Sequence, residues 1–153
     1  MKFLLPDERG VMAMLEPLFG DDTKIKTAAK ADSPSDWVAI YVDDSGVPVS
    51  ACVCNKEFVA FGGSALMMIP AGAAKEAAAN GDATDVMIES FHEIMNICSR
   101  FLMSDNTPHL KLGQVGKRSE VAALAEIEKA CSRKDFQVAI PKYGLGNLAC
   151  IVT

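Results

Sequence analysis

One apolar stripe constrains this chain more than any other feature. Between about Ala83 and Met103, residues Met87, Phe91, Ile94, Met95, Cys98, Phe101 and Leu102 recur at helical spacing and make one broad face suited to a core. A helix so patterned must pack on another layer and turn its other side to water. That other side is an orderly polar row: Glu89, Glu93, Asn96 and Arg100 stand at i, i+4, i+7 and i+11. At about 100° per residue the four fall within a band of roughly 60°, so they are expected to stand in line facing solvent or a partner.

The rest of the chain supplies material for a sheet. A first helix is expected from about Pro6 to Phe19, with Val11, Met12, Met14, Leu15, Leu18 and Phe19 as its apolar side and Gly20 as its stop. Segments rich in β-formers follow near Lys24–Lys30, Trp37–Val42, Val47–Cys54 and Glu57–Phe61, with Asp43-Asp44-Ser45-Gly46 as a hairpin turn, an order that reads as an antiparallel meander. Pro70 suits the first turn of an Ala-rich helix ending at Asn80-Gly81. Beyond the long helix, Leu110–Val115 reads as a strand and Ser119–Ser132 as a helix. Phe136–Ile140 and Leu148–Val152 read as a final strand pair joined through Tyr143–Asn147. Uneven alternation with tight hairpins predicts an α+β fold, a mostly antiparallel sheet with long helices packed on one side, as one domain over residues 1–153.

Composition narrows the partners. Half of the 153 residues are apolar, enough for a single core burying roughly 70% of the unfolded surface. A net charge of −5 without a basic run argues against nucleic acid or an anionic membrane as partner. The apolar stretch at Met1–Leu5 is short for a secretory signal and no window is long enough for a membrane span, so a cytoplasmic protein is expected. Five cysteines, Cys52, Cys54, Cys98, Cys131 and Cys150, lie scattered in apolar segments, as reduced core thiols do. On a strand Cys52 and Cys54 face the same way, and His92 or His109 would be their nearest candidate co-ligands for a metal. Their spacing matches no common zinc pattern, and no metal site is expected.

Other motifs carry less. Gly62-Gly63-Ser64-Ala65 lacks the second glycine of a nucleophile elbow, and Gly144-Leu145-Gly146 precedes a strand where a dinucleotide fingerprint would open a helix. His92 lies beside the polar row as a lone surface imidazole. The row itself offers carboxylates, a carboxamide and a guanidinium but no nucleophile. Asn is neutral at every pH and orients a water or a phosphoryl oxygen without consuming a proton. That suits phosphoryl hydrolysis, in which positioning and electrostatics do most of the work. The same residue types also serve simply to solvate a helix face.

The stretch from Phe61 through Leu102, above all Gly62-Gly63-Ser64-Ala65-Leu66-Met67-Met68-Ile69-Pro70 and Glu89-Ser90-Phe91-His92-Glu93-Ile94-Met95-Asn96-Ile97, resembles the CheC/CheX-type chemotaxis phosphatases. That family carries Glu-x-x-Asn on a long helix, with Asp or Ser four residues before the Glu and a Pro well after the Asn. Glu93 and Asn96 match; Glu89 stands at the leading position and Ser119, by strict count, at the later one. The first helix has no Glu-x-x-Asn, so the resemblance implies a single site, as in the CheX branch.

What the resemblance implies is a bacterial two-component hydrolase that dephosphorylates a phospho-aspartyl CheY-type response regulator. Asn96 would orient the hydrolytic water and Glu93 would dock to a regulator lysine. Glu89, Arg100 and Ile97 are the expected partner-binding residues, with Val86 and Met103 also flanking the row. The resemblance implies no cofactor of its own, Mg²⁺ being supplied by the regulator, and makes a homodimer plausible. The alternative is a catalytically inactive module of the same fold that docks a response regulator or flagellar motor component. A third possibility places function around Cys52 and Cys54.

Overall fold

The computed structural model describes residues 3–103, 107–129 and 131–153, with Phe101 described by its backbone alone. Helix α1 (Glu8–Phe19) opens at Asp7, whose carboxylate accepts the Gly10 N–H at 2.8 Å, and closes at Gly20, where φ is 108°. Strands β1 (Lys24–Ala28), β2 (Trp37–Val42) and β3 (Pro48–Cys54) follow. The β2–β3 turn forms where Asp43 Oδ1 accepts the N–H groups of Ser45 and Val47 at 2.9 and 3.0 Å.

Three helices come next: α2 (Lys56–Met67), α3 (Ala71–Asn80) and α4 (Asp85–Cys98), the last running on into a 3₁₀ turn over Ser99–Leu102. Strand β4 (Lys111–Lys117), a 3₁₀ turn (Arg118–Glu120), the short helix α5 (Ala123–Glu128) and the strands β5 (Ser132–Ile140) and β6 (Gly144–Val152) complete the chain.

Among the described residues the strands form one six-stranded sheet in the order β1-β5-β6-β3-β2-β4, and each neighbouring pair is antiparallel. The α+β class and the antiparallel sheet agree with the sequence. The expected meander does not form, because β1 pairs with β5 rather than with β2. Strand alternation sorts the side chains to two faces. Ala39, Tyr41, Cys52, Cys54, Phe136, Val138, Leu148 and Cys150 meet α1 to α4 in the main core, while Val38, Ile40, Ala51, Val53, Ala149 and Ile151 meet Val121, Leu124 and Ile127 on the reverse face. So the long helices do lie on one side, and α5 covers the other. Six residues are too few for a helix stable alone, and α5 stands on the burial of Leu124 and Ile127, worth about 1.5–3 kcal/mol each.

Four other expectations are corrected. Glu57–Phe61 is helix, not strand, because the Asn55 side chain caps it by accepting the Phe58 N–H at 2.9 Å, and because every residue from Phe58 to Ser64 is buried, leaving no helical period to read. The expected helix over Ser119–Ser132 shrinks to Ala123–Glu128, since Ser132 onward pairs with Val152 in β5; Ala130 lies outside the described residues. The expected loop Tyr143–Asn147 is mostly strand. Its glycine at 146 serves packing: a Cβ there would lie 2.7 Å from the Phe58 Cα, so a bare backbone lets α2 rest on β6. Finally, the long helix is regular only to Cys98, and the expected core place of the Phe101 side chain lies outside the described residues.

Candidate functional site

Helix α4 carries the polar row, and its seat is unusually well fixed. Thr84 caps its N-terminus, its hydroxyl accepting the Met87 N–H at 3.3 Å, and Asp85 sits in the first turn, where the helix dipole favours a carboxylate. Met87, Phe91, Ile94, Met95 and Cys98 are buried, as their spacing predicts. Phe91 meets Trp37 and Phe58 edge-on with centroids 6.1 and 6.4 Å apart. The Tyr41 hydroxyl donates to the Met95 carbonyl at 2.6 Å, and burial, with the neighbouring thiols, pushes that phenol well above its ordinary pKa. Gly63 lets α2 approach closely: a Cβ there would lie 2.9 Å from the Met87 Cα.

Glu89, Glu93 and Asn96 are exposed, in line on the outer face, and Arg100 is exposed too. Arg100 belongs to the 3₁₀ turn, however, where the α-helical phase aligning it with Asn96 is lost. None of the four side chains makes a hydrogen bond or ion pair among the described residues; the Asn96 carbonyl accepts the Ser99 hydroxyl at 2.8 Å. Ile97 is half-buried beside the row and Val86 is exposed. Met103 instead packs on the core, its sulfur accepting the Leu110 N–H at 3.2 Å.

An open groove of about 490 Å³ runs along this face, lined by Glu89, Ser90, His92 and Glu93 with Met67 and Ile88 as its apolar part. Met67, quoted from the sequence only within the family-like stretch, had no role assigned to it, and no signal could place it here because the helix that delivers it shows no period.

The cysteine pair is placed otherwise. Cys52 and Cys54 do face the same side of β3, and that side is the main core, shared with Cys98 and Cys150. Burial pushes the Cys54 and Cys98 thiols up, the reverse of an activated thiolate. His92 stays on the outer face of α4, while His109 Nδ1 lies 3.5 Å from Asp44 Oδ1. Among the described residues no three His, Cys, Asp or Glu are grouped to hold a metal ion, and no helix is long and apolar enough to cross a membrane.

No protein-family model matches the sequence, and no curated protein does. Solved structures match over nearly the whole chain. A chain of the FliM–SpeE complex from H. pylori has a TM-score of 0.68 at 7% identity, covering 95% of this chain and 80% of that one. Thermotoga maritima FliY has a TM-score of 0.59 at 10% identity, covering 94% and 82%. A chain of the CheX–CheY–BeF₃–Mg²⁺ complex from Borrelia burgdorferi has a TM-score of 0.53 at 11% identity, covering 94% of each. The fold is of the CheC/CheX/FliM type. At these identities the likeness is one of architecture, so the CheX-type fold fixes where α4 lies and leaves its chemistry to be argued from its side chains.

Proposed function

We propose that this chain is a CheX-like phosphatase that docks α4 against a phosphorylated CheY-type receiver domain and hydrolyses its aspartyl phosphate. The observation that carries this is the pair Glu93 and Asn96: exposed, one turn apart, with side chains free of partners among the described residues, and mounted on a helix anchored along its opposite side. A carboxamide held so can enter a partner's pocket without first breaking a bond of its own.

The reaction asks little of the phosphatase. An acyl phosphate is intrinsically labile. Water attacks phosphorus, the bond from phosphorus to the aspartyl oxygen breaks, and the carboxylate leaves with the electron pair while the water's proton passes to the departing phosphate. The Asn96 amide accepts from and donates to the water and a phosphoryl oxygen, fixing the line of attack. Glu93 takes up a lysine of the receiver and so sets the register of the two surfaces. The receiver brings its own Mg²⁺, which neutralises phosphate charge. Glu89, Arg100 and Ile97 contribute to the rim of this contact.

The second reading is a catalytically inactive module of the same fold that docks a response regulator or a motor component. Two observations favour it: Glu89 adds a second carboxylate one turn before Glu93, and FliM structures are among the matches. Decay of a phosphorylated CheY-type receiver with Mg²⁺ distinguishes the two. The phosphatase accelerates decay, and Asn96→Ala removes that acceleration by on the order of 10–100-fold while binding persists. Decay unchanged by the wild-type protein across all host receivers, with binding present, leaves the docking module.

A further inference from the structure

We propose that the methionine turn closing α2 is the docking anchor for the receiver domain: Met67 and Met68 grip an apolar side chain of the receiver that lies beside a lysine or arginine taken up by Glu89 and Glu93. This rests on the receiver-directed function argued above and names the surface that function uses.

The turn is conformationally odd. Met68 stands at φ 55°, ψ 37°, the left-handed position that ends a helix. The Ile69 N–H donates to the Ser64 carbonyl at 3.0 Å across it, the long bond of a Schellman cap. Glycine is the residue such a position favours, because any Cβ there is strained. Packing does not explain methionine: Met68 is 86% exposed and Met67 56% exposed. A strained, exposed apolar residue that neither the cap nor the core requires points to a role outside the chain.

The same turn is held rigid. The Tyr143 hydroxyl, from the last residue of the β5–β6 turn, donates to the Ile69 carbonyl at 2.6 Å and lies 3.3 Å from that of Ser64. Pro70 then fixes the exit. The backbone is thus preorganised while the thioether side chains remain adaptable, a combination that lowers the ordering cost of binding without demanding one partner shape.

Continuity and charge choose the occupant. Met67 lines the groove that also contains Glu89 and Glu93, which puts that end of the anchor on the same surface as the two carboxylates, while Met68 lines the adjoining groove with Ile69, Pro70, Lys142 and Tyr143. No lysine or arginine lines the groove of the two carboxylates, and neither carboxylate has an ion pair among the described residues. A partner that fits must therefore present a cation next to an apolar side chain, as the receiver surface engaged by Glu93 would.

The test uses the full chain and beryllofluoride-activated CheY-type receivers of the host, titrated against wild type, Met67→Ala and Met68→Gly. Each variant should raise Kd about five- to tenfold, with KM for the phosphorylated receiver rising in step. Met68→Gly should at the same time raise the melting temperature, because it relieves the left-handed methionine, so weaker binding cannot be ascribed to misfolding. An unchanged Kd in both variants, with receiver bound by wild type, overturns the anchor and leaves the phosphatase standing. Failure of the wild-type protein to bind any host receiver overturns both together.

Discussion

Tyr41 reaches across the core from the sheet to α4 and donates its hydroxyl to the Met95 carbonyl at 2.6 Å, one residue before Asn96. The bond fastens the end of the helix that carries Asn96 to strand β2, which is itself paired on both edges. Tyr41→Phe takes this donor away from a buried carbonyl. The expected cost is about 1–3 kcal/mol of stability, read as a lower midpoint in urea unfolding. Because the lost bond sits next to Asn96, the phosphatase proposed above should dephosphorylate its receiver more slowly in this variant, by more than the loss of folded protein explains.

Two helical glycines should respond oppositely to alanine. At Gly63 the new methyl group would lie 2.9 Å from the Met87 Cα, and backbone cannot swing aside. Gly63→Ala must push α2 and α4 apart, costing roughly 1–3 kcal/mol or more. At Gly72 in α3 nothing lies within 4 Å, so Gly72→Ala should gain up to about 1 kcal/mol in helix propensity. Thermal unfolding of the two variants beside wild type reads both signs; equal shifts would show that the α2–α4 contact is slack.

What the sequence displayed and what it hid follow from how each element meets its surroundings. Helix α4 was legible because it has one buried and one distinguishable opposite face, so period 3.6 survives in the residues, whereas strand β2, buried on both faces, was legible from its β-branched and aromatic residues and the turn signal that follows it. Helix α2 was not, because Phe58 to Ser64 is buried all round and its Phe-Val-Ala-Phe run carries the same β-formers as a core strand. The partner of β1 was hidden for another reason. Strand β5 follows it by more than a hundred residues, and no local turn announces a pairing such as Lys24 with Ala139. Glu93 and Asn96 could be placed on an exposed face from spacing alone, since spacing is all that a helix face needs. The groove that adjoins them could not, because Met67 arrives from a different helix whose period was invisible.

The thiols provide a clean check on the core. Of five cysteines only Cys131 is exposed; Cys52, Cys54, Cys98 and Cys150 are buried and free. A thiol reagent such as Ellman's should therefore label one cysteine rapidly in the native protein and all five after denaturation. Cys131→Ser should abolish the rapid phase with little change in stability. Rapid native labelling of further cysteines would mean that α4 does not seal the face of β3 as described.

Asp32 gives the fold a pH dependence whose sign can be worked out. Burial alone would raise its pKa, but the Arg133 hydrogen bond and the charges of Arg133, Arg118 and Lys30 outweigh it and hold the carboxyl below its ordinary 3.8. The contacts are short, with Arg118 Nη2 at 2.7 Å and Arg133 Nη2 at 2.9 Å from Asp32 Oδ1. A lowered folded pKa means that the unfolded chain binds the proton more readily, so this contribution is present above the unfolded pKa and is lost as pH falls through the folded one. Neighbouring Asp36 runs the other way: burial raises its pKa, and its effect on stability declines as pH rises from 3.8 through the raised value. Whole-protein titration mixes the two, whereas Asp32→Asn isolates one. The variant should be less stable than wild type at pH 7, and the gap should narrow steadily once the pH drops below 4. A gap of constant size across that range would mean that Asp32 acts through shape and hydrogen bonding rather than through its charge.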